Sequence, residues 1–210
     1  MTDLNTISET LIAGKGPDLK NLVQKAIDEG TEASQILNVA LLPGMEVVGE
    51  RMENGDMFIP EVLMSAKAMS GALVILKPLL SAEESKSAGK ILIGTVKGDL
   101  HDIGKNLVSM MLESAGFEVI NLGVDIAPEG FVEAVKKHEP QIVALSALLT
   151  TTMTQMQKTI DALKENGLKD QVKVIVGGAP VTEKFAKEIG AEGYAPDAGS
   201  ANKLARSLLQ

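Results

Sequence analysis

The 210-residue chain has no cysteine and no tryptophan, and aromatic residues make up only 2% of it. Without cysteine it can form no disulfide, no thiolate nucleophile and no cysteine-bound zinc or iron–sulfur cluster. So few aromatic side chains nearly exclude a platform on which nucleic-acid bases could stack. The net charge of −8, without an obvious basic cluster, also argues against a nucleic-acid partner. Any bound metal must therefore be held by histidine, by carboxylates or by a cofactor's own ligands.

Long hydrophobic segments are scarce as well. No uncharged apolar run approaches the roughly 18–20 residues that cross a bilayer. The N-terminal sequence MTDLNTISET has neither the basic segment nor the apolar core of a signal peptide. We therefore expect a cytoplasmic protein with no membrane partner. The 45% of residues that are apolar can bury the core of one large domain or of two small ones.

The first part of the chain, residues 1–88, has the pattern of a helical domain. It contains no convincing strand, and glycine, proline and asparagine punctuate its periodic segments. In the last segment, apolar residues from Ile59 to Leu80 recur at alternating steps of three and four, as on one face of a helix. The predicted helices lie near 4–13, 17–29, 32–53 and 59–80. Their short connections predict a small antiparallel four-helix bundle.

The second part, residues 89–210, follows a polar segment, SAEESKSAGK (81–90), that reads as a linker. Short apolar runs rich in β-branched residues alternate here with helical stretches. The predicted strands are 90–96, 119–123, 142–149, 172–178 and 193–195, and the predicted helices lie near 104–115, 128–138, 153–166 and 182–188, with a last one from Ser200. This alternation predicts an α/β domain with a doubly wound, five-stranded parallel sheet of the flavodoxin or Rossmann-like type. Ligands of such sheets bind beyond the carboxyl ends of the strands.

One of the two histidines, His101, lies in the loop after the first predicted strand, where such ligands bind. Gly98 and Gly104 bracket it and allow a turn with close backbone approach. Asp99 can accept the proton of one imidazole nitrogen and leave the other as a directed electron-pair donor. Beyond Asp102, no other candidate ligand lies close by in sequence. One histidine oriented by a carboxylate suits a metal already held in a macrocycle, whereas bare zinc takes three or four protein ligands.

Three motifs of the chain resemble those of cobalamin-binding proteins. DLHDIG (99–104) matches the family's D-x-H-x-x-G, and the wider GDLHDIGKN resembles the version found in methionine synthase and in the corrinoid proteins of methyltransferase systems. SAL (146–148) matches S-x-L, and Gly177-Gly178 matches G-G. The intervals of 41 and 28 residues between these motifs agree with the family. GERMENGDMFIPEVLMSA is similar to the helical cap domain of methionine synthase, so the resemblance covers nearly the whole chain, with a cap at 1–88 and a cobalamin-binding domain at 89–210.

The resemblance implies a bound cobalamin or related corrinoid whose own base is detached and replaced by His101 as the lower axial ligand of cobalt. Asp99 would orient that histidine, and Thr152 would supply the hydroxyl that the family uses behind the pair to pass on a proton. The first motif is implied to contact the corrinoid through Gly98, Asp99, Leu100, His101, Asp102, Ile103 and Gly104. Residues implied to line the displaced nucleotide tail are Ser146, Leu148, Thr150, Gly177, Gly178, Ala179 and Ala198. Residues implied to cover the upper axial position are Met52, Phe58, Ile59 and Val62.

The resemblance further implies a corrinoid methyl carrier. Cobalt would cycle between Co(I), which leaves His101, and methyl–Co(III), the methylcobalamin form, which recovers it. When cobalt lets go, the imidazole–carboxylate pair could take up a proton. The chain has no candidate zinc site for activating a thiol or a donor, so both half-reactions are expected on partners. These are a substrate-specific methyltransferase, an acceptor methyltransferase of the folate or thiol type and a reductive activation protein, and the cap would move aside in each transfer.

Three alternatives remain open at this point. The D-x-H-x-x-G fold also occurs in adenosylcobalamin mutases, whose small subunits generally lack this kind of helical cap. A B12-sensing regulator is expected to carry a DNA-binding segment, and no basic recognition helix is evident in the sequence. A response-regulator-like domain would have an aspartate at the end of the third strand, where this chain has Ser146. These features favour methyl carriage.

Overall fold

The computed structural model describes residues 2–80 and 87–209, and the chain divides into two compact units. Unit 1 comprises residues 1–87 together with 114–116, and unit 2 comprises residues 88–113 and 117–210. Most of the predicted linker, residues 81–86, lies outside the described residues. The domain boundary between residues 88 and 89 stays a prediction.

Unit 1 is helical, as predicted. Its helices are α1 (Leu4–Ile12), α2 (Gly16–Asp28), α3 (Ala33–Gln35), α4 (Leu42–Glu53) and α5 (Ile59–Leu76), and a 3₁₀ turn (Lys77–Leu79) follows α5. Between α3 and α4 the chain continues through a π-helical segment, Ile36–Leu41. Pro43 explains this segment, because it has no N–H and its ring would clash with the carbonyl of Val39 in a regular α-helix. The Leu42 N–H bonds instead to the carbonyl of Leu37, five residues back.

Helix α5 is unusually apolar. By length and composition alone the stretch Ile59–Leu79 could cross a membrane, with a mean hydropathy of 1.5. The core helix of a soluble bundle passes the same test, and α5 packs against α2 and α4 and buries Val62, Ala66 and Met69. We therefore interpret α5 as the core helix of unit 1. The cytoplasmic location stays a prediction.

Unit 2 contains five parallel strands in the order β2-β1-β3-β4-β5, which confirms the predicted fold class. The strands are β1 (Lys90–Thr95), β2 (Glu118–Asn121), β3 (Ile142–Ser146), β4 (Lys173–Gly177) and β5 (Gly193–Ala195). The helices are α6 (Ile103–Ser114), α7 (Pro128–His138), α8 (Thr154–Glu165), α9 (Glu183–Ile189) and α10 (Ala198–Leu209), and a 3₁₀ turn (Lys169–Gln171) precedes β4.

The two faces of this sheet are covered by different helices. On one face, Leu92 and neighbouring strand residues form a core cluster with Phe131 and other side chains of α7, α8 and α9. In the described part of the chain, no member of this cluster comes from α6 or α10, so these two helices cover the opposite face of the doubly wound sheet. Gly193 agrees with this assignment, because a Cβ there would meet the side chain of Leu204 in α10.

The face under α10 carries a row of small residues at the carboxyl ends of the strands. Thr95, Ser146, Gly177 and Ala195 are register partners across β1, β3, β4 and β5, and we call them the small-residue row. Side chains alternate along a strand with period two, and Gly193, two residues before Ala195, faces α10. The small-residue row therefore also faces α10 and leaves this edge of the sheet with little side-chain bulk.

Strand β3 ends earlier than predicted. The apolar run 142–149 predicts a strand through Leu149, but the strand stops at Ser146. The reason lies in the backbone, because the N–H groups of Leu148 and Leu149 donate to the Asp99 carboxylate and not to a neighbouring strand. The end of β3 is thus set by a side chain of the loop after β1.

We expect Gly178→Ala to destabilise unit 2 by roughly 3 kcal/mol or more. Gly178 has a φ of +125°, and a Cβ would collide with the carbonyl of Ala147 in the loop after β3. Gly167→Ala is the matched control, because Gly167 also has a positive φ, +67°, but has open space around it. This control should cost only about 1 kcal/mol. Urea unfolding compares the two, and equal losses would show that backbone strain, and not the close approach of the two loops, explains Gly178.

Candidate cofactor-binding site

Hydrogen bonds from two strands hold the loop after β1, which carries DLHDIG. Gly98 has a φ of +81°, a conformation that glycine adopts readily. Its N–H donates to the Asp125 carboxylate (2.7 Å), and the Asp125 N–H donates to the Asp99 carbonyl (3.0 Å). The Thr95 hydroxyl donates to the His101 carbonyl (3.0 Å). The end of β1 and the loop after β2 therefore fix the backbone of the motif.

The carboxylate of Asp99 is fully buried and accepts five hydrogen bonds. Its Oδ1 accepts from the Nδ1 (2.7 Å) and the backbone N–H (3.1 Å) of His101. Its Oδ2 accepts from the backbone N–H groups of Leu148 (2.7 Å) and Leu149 (3.2 Å) and from the Thr152 hydroxyl (2.8 Å). Burial acts to raise the pKa of Asp99, but the bonds from Leu148, His101 and Thr152 together hold it well below its usual range. Asp99 is therefore an ionised acceptor at neutral pH.

The imidazole of His101 is oriented by Asp99 and is accessible. Its side chain is 52% exposed, although the carboxylate that it contacts is not exposed at all. The ionised carboxylate can only accept, so Nδ1 carries the proton of the neutral ring. Nε2 is then the electron-pair donor. The arrangement expected from the sequence is present, and it offers one nitrogen ligand.

Thr152 lies behind this pair, in the segment between β3 and α8. Its Oγ1 is 2.8 Å from Asp99 Oδ2 and 2.9 Å from the carbonyl oxygen of Leu149. A hydroxyl has a single proton, so it donates to only one of these acceptors at a time. The β-branched side chain is buried and reaches the carboxylate. Thr152 can therefore strengthen or weaken its bond to Asp99 by a rotation of one proton.

Large apolar side chains surround the imidazole and face solvent. Leu100 and Ile103, on either side of His101 in the chain, are 71% and 76% exposed. Leu148 and Leu149, whose N–H groups bind Asp99, are 43% and 41% exposed. Four large aliphatic side chains around one polar ligand form an exposed apolar surface of the kind that marks a binding site.

A polar network fixes the first turn of α6 behind this surface. The Asp102 carboxylate accepts from the Asn106 side chain (2.9 Å), so it helps to hold α6 in place. The buried Lys105 donates to Asn106 (2.6 Å) and to Asn121 at the end of β2 (2.7 Å). Burial lowers the pKa of Lys105, against the opposing attraction of the Asp102 carboxylate. The network joins α6 to the neighbouring strand and stabilises the position of the motif.

The residues predicted along a nucleotide tail lie at the carboxyl edge of the sheet. A Cβ on Gly177 would come within 2.9 Å of the Ala195 carbonyl, so only glycine fits there as the backbone stands. Thr150 and Ala179, in the loops after β3 and β4, are exposed, and Ser146 belongs to the small-residue row. Ala198 is buried at the first position of α10. The structure thus brings these residues to one edge of one sheet.

The predicted cap residues lie in unit 1 at the junction of α4 and α5. Phe58 and Ile59 are 68% and 45% exposed, and Met52 is half-buried. The Phe58 N–H donates to the Glu61 carboxylate (2.9 Å), which fixes the start of α5. Val62 differs from the others, because it is fully buried. Its predicted contact with a ligand would require a rearrangement that exposes it.

The donor set fits a metal held in a macrocycle. Within residues 2–80 and 87–209, no group of three His, Asp or Glu side chains is placed to hold a metal ion. His101 therefore offers a single nitrogen in an apolar setting, with its tautomer fixed by Asp99. A corrin supplies four nitrogen ligands and a flat apolar body, and the surface around His101 has the chemistry to accept both.

Comparisons with known proteins agree with this fit. Residues 89–201 match the B12-binding domain family, and residues 4–77 match a second family that is also described as a B12 binding domain. The chain belongs to the B12-binding proteins. The dimethylamine corrinoid protein of Methanosarcina barkeri is 44% identical over 98% of this chain and 97% of that protein.

Two solved structures support the assignment of this B12-binding chain. A cobalamin-binding protein from Desulfitobacterium hafniense DCB-2 is 36% identical, with a TM-score of 0.84 and 99% of each chain covered. The methanol:cobalamin methyltransferase complex MtaBC from Methanosarcina barkeri contains a chain that is 33% identical, with a TM-score of 0.84, 97% of this chain and 78% of that chain covered. The expected family, fold and corrinoid cofactor are confirmed, and the roles of individual residues stay predictions.

Some residues of this B12-binding site could not be singled out from the sequence. Leu149 takes part through its backbone N–H, for which a side chain gives no signal. Asp125 has a usable sequence signal, because it is an aspartate just after β2, at the same sheet edge as His101. Lys105 could have been found as a lysine within an otherwise amphipathic helix.

We expect Thr152→Val to destabilise the protein by about 2 kcal/mol, because it preserves shape but removes one donor from a buried carboxylate. Thr151→Val is the matched control, since Thr151 is exposed and its replacement should change stability by less than about 0.5 kcal/mol. Urea unfolding measures both values. Equal stability of Thr152→Val and wild type would mean that the Thr152 hydroxyl donates to the Leu149 carbonyl and contributes nothing to Asp99.

Proposed function

We propose that this chain carries a methyl group on its bound corrinoid between a donor methyltransferase and an acceptor methyltransferase. The observation that carries the proposal is the pairing of one accessible imidazole with a buried carboxylate, in a chain that also has the helical unit matched by the second B12-binding family. A protein that offers one nitrogen ligand, and no metal-holding group of three or more such side chains among its described residues, suits a carrier whose partners supply the chemistry.

His101 would hold the cofactor through Nε2, and Asp99 keeps that nitrogen free of a proton by accepting from Nδ1. When bound, the corrinoid supplies a cobalt centre that alternately accepts and gives up a methyl group. The exposed side chains of Leu100, Ile103 and Leu148 would lie against the macrocycle and exclude water from the metal ligand. The exposure of these side chains supports the proposed roles.

The His101–Asp99 pair can also store a proton. When the imidazole does not bind metal, its Nε2 would be free to accept a proton while Nδ1 still donates to Asp99. Three donors on Oδ2, from Leu148, Leu149 and Thr152, keep Asp99 from taking that proton itself. Proton uptake at Nε2 is thereby coupled to loss of metal ligation.

The apolar residues of unit 1 would protect the methyl-bearing side of the cofactor. Phe58 exposes aromatic surface and Ile59 exposes aliphatic surface. Exposed apolar surface does not stabilise a monomeric bundle, and it often marks a site of interaction. We infer that these two, with Met52, would cover the carried methyl group and keep water away from it.

The proposed partners follow from this carrier role. A chain of similar fold occurs in a methanol:cobalamin methyltransferase complex, which supports a methyltransferase partner here. A relative of almost full-length similarity is a dimethylamine corrinoid protein, so different donors are served by similar carriers. We therefore place donor selection on a substrate-specific methyltransferase. The acceptor methyltransferase of the folate or thiol type and the reductive activation protein are part of the same proposal.

We expect His101→Ala to weaken binding of hydroxocobalamin by at least about tenfold and to abolish the base-off, histidine-on visible spectrum, because the variant lacks the axial nitrogen. His138→Ala is the matched control, since the His138 carbonyl, at the end of α7, accepts from Lys90 through the backbone, and the substitution keeps that bond. Gel filtration followed by visible spectroscopy reads out both properties. Binding with identical spectra in wild type and His101→Ala would exclude His101 as the ligand.

Bound methylcobalamin should be photolysed more slowly than free methylcobalamin, and Phe58→Ser should restore several-fold faster loss, because the apolar cover is opened. Val74→Ser on α5 is the matched control, since Val74 is 73% exposed but lies at the other end of the helix. The decay of the visible spectrum under constant illumination gives the rates. Equal rates for the two variants and wild type would contradict a covering role for Phe58.

A further inference from the structure

The chain bulges toward the histidine loop just after β2. Thr95, the last residue of β1, donates its N–H to the Gly123 carbonyl (3.0 Å), and its carbonyl accepts from the Ile126 N–H (3.0 Å). Regular parallel pairing leaves a single residue between two such partners, whereas here Val124 and Asp125 both lie between them. Bulges of this kind are common next to active sites, where they aim a side chain in a new direction. In this bulge the polar side chain is that of Asp125.

Asp125 holds the histidine loop with both its side chain and its backbone. Its Oδ1 accepts from the Gly98 N–H (2.7 Å), and its own N–H donates to the Asp99 carbonyl (3.0 Å). The bond to Gly98 involves a carboxylate, which makes it stronger than a bond between neutral groups. The two bonds together grip both ends of the dipeptide Gly98-Asp99.

The backbone of Asp125 is in the left-handed conformation, with a φ of +56°. Among the residues that the structure describes, Glu139 is the only other non-glycine residue with a positive φ. Glycine adopts this conformation more readily than aspartate does. The aspartate therefore contributes something that glycine would not, and the bond from its carboxylate to Gly98 is that contribution. An unusual conformation beside a ligand-binding loop supports a functional role.

The contacts of Asp125 lead to the imidazole through one intermediate residue. The carboxylate of Asp99 accepts from His101 Nδ1 (2.7 Å) and is held from its other side by the loop after β3. The backbone of Asp99 is held by Asp125. A shift of that backbone would turn the imidazole and redirect Nε2. A metal–nitrogen bond depends on the direction of the nitrogen lone pair, so a turned imidazole binds metal less tightly.

We propose that Asp125 is a positioning residue for the axial ligand. Its carboxylate fixes the backbone before His101 and thereby keeps Nε2 directed at the metal of the corrinoid. The proposal rests on the proposed function, because it takes His101 to be the ligand. Asp125 acts through the histidine loop in this role and needs no contact with the cofactor.

The test is a double-mutant cycle on the full-length protein, titrated with aquocobinamide, a corrinoid without a base of its own, and followed by the visible spectrum. Asp125→Gly removes the carboxylate but keeps a residue that suits the backbone conformation. It should bind aquocobinamide about fivefold more weakly than wild type, the factor that one hydrogen bond is worth. The same substitution in the His101→Ala background should change the affinity by less than about twofold, because no imidazole is left to position.

Two further variants isolate the carboxylate. Asp125→Asn keeps an acceptor oxygen and tolerates the left-handed conformation, so its affinity should stay within about twofold of wild type. Glu139→Gly is the matched control, because Glu139 is also acidic and exposed and has a φ of +48°, but it lies at the end of α7. This control should leave the affinity unchanged. Circular dichroism verifies folding, and Asp125→Ala replaces Asp125→Gly if that variant does not fold.

The outcomes separate this inference from the function on which it rests. If wild type binds no aquocobinamide, or binds it no better than His101→Ala does, the proposed function or its axial ligand fails. If wild type binds better than His101→Ala, but Asp125→Gly has no effect or weakens binding equally in both backgrounds, the positioning role of Asp125 is overturned. A loss that appears only when His101 is present, and that Asp125→Asn avoids, supports the proposal.

Discussion

The buried carboxylate of Asp99 is the contact on which the rest of the site depends. It joins the loop after β1 to the loop after β3, because Oδ1 binds His101 while Oδ2 binds Leu148, Leu149 and Thr152. A single ionised side chain with five donors is a strong constraint, since each bond is charge-assisted and the carboxylate itself is fully buried. The direction of the imidazole, the end of β3 and the position of two apolar side chains all follow from it.

The sheet supplies the second constraint. Its parallel strands bring the ends of β1, β3 and β4 to one edge. The pairing of the strands alone therefore makes neighbours of residues that are far apart in sequence. One face is filled by a dense core against α7, α8 and α9. On the other face, glycine, alanine, serine and threonine leave the carboxyl edge shallow. The same fold therefore has a densely packed face on one side and small side chains at the carboxyl edge of the other.

How much of this could be predicted depends on what each residue contributes. His101 and Asp99 act through side chains in a short motif, so sequence alone located them, and the alternation of strands and helices predicted the sheet. Strand β3 was overextended because Leu148 and Leu149 continue an apolar run, while their N–H groups bind a distant carboxylate. Val62 and Ile59 lie on the same stripe of α5. The spacing of apolar residues alone could not show that Val62 is buried and Ile59 is exposed.

The exposed apolar surface around His101 also bears on how the protein persists in a cell. A core completed by a cofactor is more stable with it than without it, by an amount that grows with the logarithm of the free cofactor concentration. Chains without cofactor open more often and are degraded faster, since proteases act on the opened state. We therefore expect the amount of folded protein to rise with the supply of corrinoid.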